Sequence, residues 1–216
     1  MKNFLLKTCL FLSLLLVIRS VSANVSLVVL GDSLSAGYGL AQEQSWVSEL
    51  DRRWESSHPN INIINASISG ETTRGGLRRL ESVLERHKPD ALFIELGGND
   101  GLRGFDLNTV RSNLKQIIDQ AQQRGVKVAL SQVMVPPNYG QRFADQFRQV
   151  FEEVAKEENV TLIPFFMEKI AINADYVQDD GIHPTAEAQP KIADFLEPYL
   201  LELAKEADTK KPPAGG

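Results

Sequence analysis

The run Val28-Val29-Leu30-Gly31-Asp32-Ser33-Leu34-Ser35-Ala36-Gly37-Tyr38 decides how this chain is read. An apolar, partly β-branched segment passes directly into a turn built from Gly, Asp and Ser. Such a continuous apolar run fits a strand buried on both faces, as in a parallel sheet. Alternating α/β proteins place their reactive groups just beyond the carboxyl ends of such strands. Ser33 falls there, between glycines that let backbone N–H groups and a ligand come close. Taken alone, the same turn could serve backbone geometry and nothing else.

Upstream, Lys2 and Lys7 precede an apolar run from Phe11 to Ile18, and Val21-Ser22-Ala23 follows it. A positive start, a short apolar stretch and a small-x-small site read as a secretory signal cleaved after Ala23. The run is too short for a membrane anchor. The expected product is an exported, periplasmic or secreted protein. Cleavage removes three cations and no acids, so 23 basic residues fall to 20 against 28 acidic ones, a formal charge of −8. That balance argues against nucleic acid or an anionic membrane as the main partner. Cys9, the single cysteine, precedes the apolar run, outside any lipoprotein-like context, and leaves with the signal. Disulfides, thiolate nucleophiles and cysteine metal sites are thereby excluded from the mature chain.

Downstream, strands are expected at 25–30, 61–64, 91–96, 126–133 and 160–163. Helices lie between them: Trp46, Val47, Leu50 and Trp54 follow a capping Ser45, and Leu77, Leu80, Val83 and Leu84 recur at helical spacing. Leu107 to Ala121 repeats the pattern up to Gly125, a helix-ending signal. The stripe Phe143, Phe147, Phe151 reads as core, and the last helix carries Ile192, Leu196 and Leu203. The expectation is one domain over 24–207, followed by a disordered tail over 208–216. Alternation of strand and helix implies a mainly parallel five-stranded sheet covered by helices on both faces, a three-layer α/β/α fold. Right-handed crossovers then bring Ser33, Gly70, Asn99 and the Pro136 region to one edge.

A serine hydroxyl needs a base to become a nucleophile. Of three histidines, His58 and His87 fall on the amino side of the sheet, and His183 on the carboxyl side with Ser33. Asp180 precedes His183 by three residues in a loop containing Gly181, which suits a carboxylate that fixes the imidazole tautomer. Asp179 competes for that place and also fits a turn. Acyl transfer further needs donors for an oxyanion, and the backbone N–H groups of Ser33 and Gly70 and the amide of Asn99 are candidates. Two other readings use the same residues. A metallohydrolase would draw on Asp32, Asp100, Asp180 and His183, though one histidine and three carboxylates favour magnesium or calcium. A nucleotide-binding module would use the Gly31–Gly37 turn, which lacks both the P-loop and dinucleotide-site patterns.

Gly31-Asp32-Ser33-Leu34, Gly70, Gly97-Gly98-Asn99-Asp100 and Asp180-Gly181-Ile182-His183-Pro184 resemble, in order, the four blocks of the SGNH, or GDSL, hydrolases. Asn65 to Gly70, Glu95 to Phe105 and Pro164 to Glu168 extend the resemblance toward the bacterial periplasmic thioesterase and lysophospholipase branch. The resemblance implies a flavodoxin-like fold, Ser33 as nucleophile, His183 as base and acid, and Asp180 as its orienting group. It implies Ser33, Gly70 and Asn99 as the oxyanion hole, and an acyl-serine intermediate with no metal or cofactor. A shallow groove for the acyl chain is implied at Asp32, Gly98, Leu102, Arg103, Pro137 and Tyr139. Expected substrates are small acyl esters, thioesters and lysophospholipids, turned over by a monomer without a stable membrane anchor. A carbohydrate-ester deacetylase with the same triad is the nearest alternative.

Overall fold

A computed structural model describes residues 24–209 of the 216-residue chain. Strands β1 (Val25–Gly31), β2 (Ile61–Asn65), β3 (Ala91–Glu95), β4 (Lys127–Ser131) and β5 (Thr161–Ile163) form one sheet. Their order is β2-β1-β3-β4-β5, with every pair parallel. The helices are α1 (Ser33–Ala36), α2 (Trp46–Ser57), α3 (Thr73–His87), α4 (Gly98–Leu102), α5 (Leu107–Gln123), α6 (Gln141–Glu157), α7 (Met167–Ile170) and α8 (Gln189–Asp208).

β1 is apolar on both faces because both faces are covered. Leu27 and Val29 pack with Trp46, Leu50 and Trp54 of α2 and Ile192, Leu196 and Leu200 of α8. Val28 and Leu30 pack on the opposite side with Leu80 of α3, Leu114 and Ile118 of α5, and Phe147 and Phe151 of α6. The phenylalanine stripe is therefore core. No described helix is long and apolar enough to cross a membrane.

Several boundaries differ from the sequence pattern. The apolar run at Val133 and Val135 is buried but not strand: β4 ends at Ser131, paired with Ile163, the last residue of its partner β5. β5 begins at Thr161 because the Val160 N–H is still bonded to the Ala155 carbonyl at the end of α6. The glycine-rich turns after β1 and β3 each close into a short helix, α1 and α4. α8 includes Asp208, one residue into the expected tail. The expected signal segment with Cys9, and residues 210–216, lie outside the described residues.

The strand order reverses direction between β1 and β3. A crevice opens at such a point beyond the strand ends. Ser33 follows β1 and Asn99 follows β3, so they flank it.

Candidate active site

The turn after β1 is built around Asp32. Its Oδ1 accepts the Leu34 N–H at 3.0 Å, capping α1. Gly37 ends the helix with φ +76°. Gly31 is required by space: a Cβ there would lie 2.8 Å from both Ser35 Cβ and Ser67 Oγ. The segment before α8 brings in the partner groups. Val177 and Pro184 form an antiparallel bridge, and the Gln178 N–H donates to the His183 carbonyl at 2.7 Å. The Gln178 side-chain amide donates to the Tyr38 and Pro184 carbonyls, both at 2.9 Å. One side chain thus ties the His183 loop to the turn that carries Ser33.

His183 Nε2 lies 2.8 Å from Ser33 Oγ, and His183 Nδ1 lies 2.6 Å from Asp180 Oδ2. The acidic neighbour of Nδ1 favours the tautomer protonated there, leaving Nε2 to accept from the serine hydroxyl. The other Asp180 oxygen accepts the backbone N–H groups of Ile182 (2.9 Å) and His183 (3.0 Å). Burial pushes this carboxyl up, but the His183 N–H, the His183 ring and the Ile182 N–H outweigh it and hold it at about 2. Asp180 is therefore ionised at neutral pH. Asp179 is exposed and makes no such contact. The Tyr38 ring covers the imidazole, with centroids 4.3 Å apart. Sequence reasoning assigned no role to Tyr38 or Gln178, since neither residue type signals a contact across 140 positions or more.

Comparison with known proteins identifies the family. Residues 29–189 match the model of the GDSL-like Lipase/Acylhydrolase family. The chain belongs to that family. It is 44% identical over 180 residues to an arylesterase of Vibrio mimicus, covering 83% of this chain and 90% of that protein. It is 42% identical over 193 residues to "Thioesterase 1/protease 1/lysophospholipase L1" of Escherichia coli (strain K12), covering 89% and 91%. Among solved structures, the psychrotrophic esterase EstA from Pseudoalteromonas sp., inhibited by monoethylphosphonate, superposes with a TM-score of 0.80 at 41% identity, covering 82% of this chain and 97% of that one.

In this GDSL-family chain the expected oxyanion donors differ in how free they are. The backbone N–H groups of Ser33 and Gly70 have no acceptor among the described residues. Gly70 sits at φ +77°, where a side chain is disfavoured although space exists for one. Asn99 Nδ2 donates to Asp32 Oδ2 at 3.2 Å and to the Glu71 carbonyl at 2.9 Å. Both amide hydrogens are thus engaged, and an oxyanion has to share the longer bond with Asp32, which together with the Glu71 carbonyl fixes the plane of the amide. Burial drives the Asp32 carboxyl up to about 6, against hydrogen bonds from Leu34, Glu95 and Asn99 and the attraction of His183.

The cavity beside Ser33 holds about 710 Å³, within the range of small-molecule sites. Of the groove residues expected from the sequence, Asp32, Gly98 and Leu102 line it. Arg103 and Tyr139 brace the rim instead: Arg103 Nη2 donates to the Gly70 carbonyl at 3.3 Å, and the Tyr139 hydroxyl to the Leu102 carbonyl at 3.1 Å. Pro137 lies in a short 3₁₀ turn next to Pro136, which does line the cavity. The apolar wall that sequence reasoning missed comes from Val133, Met134, Phe165, Met167, Ala171 and Ile182. Their signal was position, since each follows the carboxyl end of β4 or β5. Asp100 points away, accepting from the Thr73 N–H (2.9 Å) and hydroxyl (2.6 Å). Among the described residues no three His, Cys, Asp or Glu converge as a metal ion would need.

Proposed function

We propose that this chain is a carboxylic-ester hydrolase that cleaves acyl esters and thioesters through Ser33. The Ser33–His183–Asp180 relay, opening onto an apolar cavity, is the observation that carries the reading. The hydroxyl proton passes to His183 Nε2 as Ser33 Oγ bonds to the acyl carbon, and the carbonyl electron pair moves onto its oxygen. The N–H groups of Ser33 and Gly70, with the Asn99 amide, receive that oxyanion. Collapse breaks the bond to the alcohol or thiol, which takes the proton from His183. Water then repeats the sequence on the acyl-serine and releases the carboxylic acid. Asp180, ionised throughout, holds the ring and offsets the charge of the imidazolium.

The apolar wall favours a fatty acyl chain over an acetylated sugar. The rim supports an amphiphile such as a lysophospholipid: among the described residues the exposed large apolar side chains, including Ile68, Phe105, Met134, Ile172 and Ile182, all follow the carboxyl ends of strands. We further infer that residues 24–207 act as an exported, periplasmic or secreted monomer after loss of residues 1–23, without a stable membrane anchor.

The experiment is kcat/KM for long and short acyl chains, each as thioester and oxygen ester, on the wild type, Ser33→Ala and His183→Ala. Expected is a long-chain preference in the wild type, and loss of several orders of magnitude in kcat in folded variants. A phosphonate ester should add covalently to the peptide that carries Ser33. Near-normal turnover by either variant refutes the triad; better turnover of acetylated sugars than of fatty acyl esters moves the enzyme to the deacetylases.

A further inference from the structure

Glu95, the last residue of β3, is a fully buried acid that plays no part in the reaction above. Register sets it beside Gly31, directly under the serine-bearing turn. Its Oε2 accepts from the Ser35 hydroxyl at 2.8 Å and from the Asp32 N–H at 3.4 Å. Its Oε1 is buried with no donor among the described residues. An ionised Glu95 would therefore leave a charged oxygen unsatisfied in the interior, which is costly. A proton on that carboxyl removes the charge and creates a donor, and the neighbouring acceptor is the carboxyl of Asp32, whose own backbone N–H already donates to Oε2 and which acts on Glu95 most strongly of the charged groups.

We propose that Glu95 is a positioning residue: it carries a proton at neutral pH, donates it to the Asp32 carboxylate, and through Asp32 holds the Asn99 amide in the geometry the oxyanion needs. Two neighbouring carboxyls in low dielectric resist ionising together. The order of ionisation follows from their surroundings. Asp32 accepts from Leu34 and Asn99 and feels His183, so it takes the charge; Glu95 is deeper and keeps the proton. Burial, then the Asp32 charge, raises Glu95 well above the ordinary carboxyl range, in agreement. The ionisable groups acting most strongly on the pair are each other and His183, with no lysine or arginine among them. A single negative charge favours the imidazolium, whereas a second one here would oppose the oxyanion.

The inference rests on the oxyanion role proposed for Asn99, so Asn99→Ala is measured alongside. Glu95→Gln reproduces a permanently protonated Glu95, with its oxygen accepting from Ser35 and Asp32 and its amide donating to Asp32. Expected is kcat within about threefold of wild type for Glu95→Gln, and a loss of about tenfold or more for Glu95→Leu with KM little changed. Because Glu95→Leu could fail to fold, infrared difference spectra of the wild type and Glu95→Gln at about pH 8 supply a second reading. A protonated-carboxyl carbonyl band should be present in the wild type and absent from the variant. The proposal is overturned if Glu95→Gln is as impaired as Asn99→Ala, or if the wild type lacks that band. If Asn99→Ala itself retains full activity, the oxyanion assignment fails, and with it the step from Asp32 to catalysis.

Discussion

Gln178 offers a test of how the active site is held together. Its amide donates two 2.9 Å bonds, to the Tyr38 carbonyl on the Ser33 side and to the Pro184 carbonyl on the His183 side. Gln178→Ala removes both, at about 1 kcal/mol each. If all of that falls on the productive approach of His183 to Ser33, kcat/KM drops by up to about 30-fold, since about 1.4 kcal/mol is a factor of ten. Gln178→Glu is nearly isosteric but, ionised, offers no donor and turns negative oxygens toward two carbonyls. It should therefore be worse than alanine at about pH 8, where glutamate is ionised, and should recover partly as the pH is lowered. The assay is kcat and KM on a short, soluble ester, with urea unfolding to separate loop disorder from global loss. A Gln178→Glu enzyme that equals the wild type, or exceeds Gln178→Ala, would refute the view that two donated bonds clamp the loop.

Other consequences follow from the same geometry. Gly70→Ala has room for its methyl but must hold φ +77°, at roughly 1–2 kcal/mol; urea unfolding should show that loss and kcat should fall with it. Ala171→Trp fills the cavity beside Met167, so long-chain esters should lose about tenfold or more in kcat/KM while acetyl esters lose far less. Asp32 and Asp180 should titrate near 6 and near 2 in carboxyl carbon NMR. Their effects on stability then have opposite signs. Asp32 holds its proton more tightly folded than unfolded, so its contribution is complete below about pH 4 and drains, by about 3 kcal/mol, as the pH rises through 6. The contribution of Asp180 is in place above about pH 4 and is lost as the pH falls toward 2.

The sequence alone determined the layered α/β architecture and the edge on which chemistry collects. A central parallel strand is apolar on both faces, so Val28 to Leu30 announces its place, and helix spacing in Leu107 to Ala121 announces its cover. That Ser33, His183 and Asp180 meet was legible because a serine after a strand, a scarce histidine and a nearby acid each have a recognisable residue type. Strand ends were less legible, since burial makes Val133 and Val135 apolar whether or not a partner strand continues beside them.

Tertiary structure alone decided the rest. Gln178, Tyr38, Glu95 and the cavity wall at Phe165, Met167 and Ala171 are ordinary residues whose roles arise from contacts between segments far apart in the chain. It also moved Arg103 and Tyr139 from the groove to its rim, because their long side chains reach the Gly70 and Leu102 carbonyls instead. Residue type and spacing can report what a side chain is able to do. Which partner it meets, and at what depth from water, is fixed only when the strands are in register.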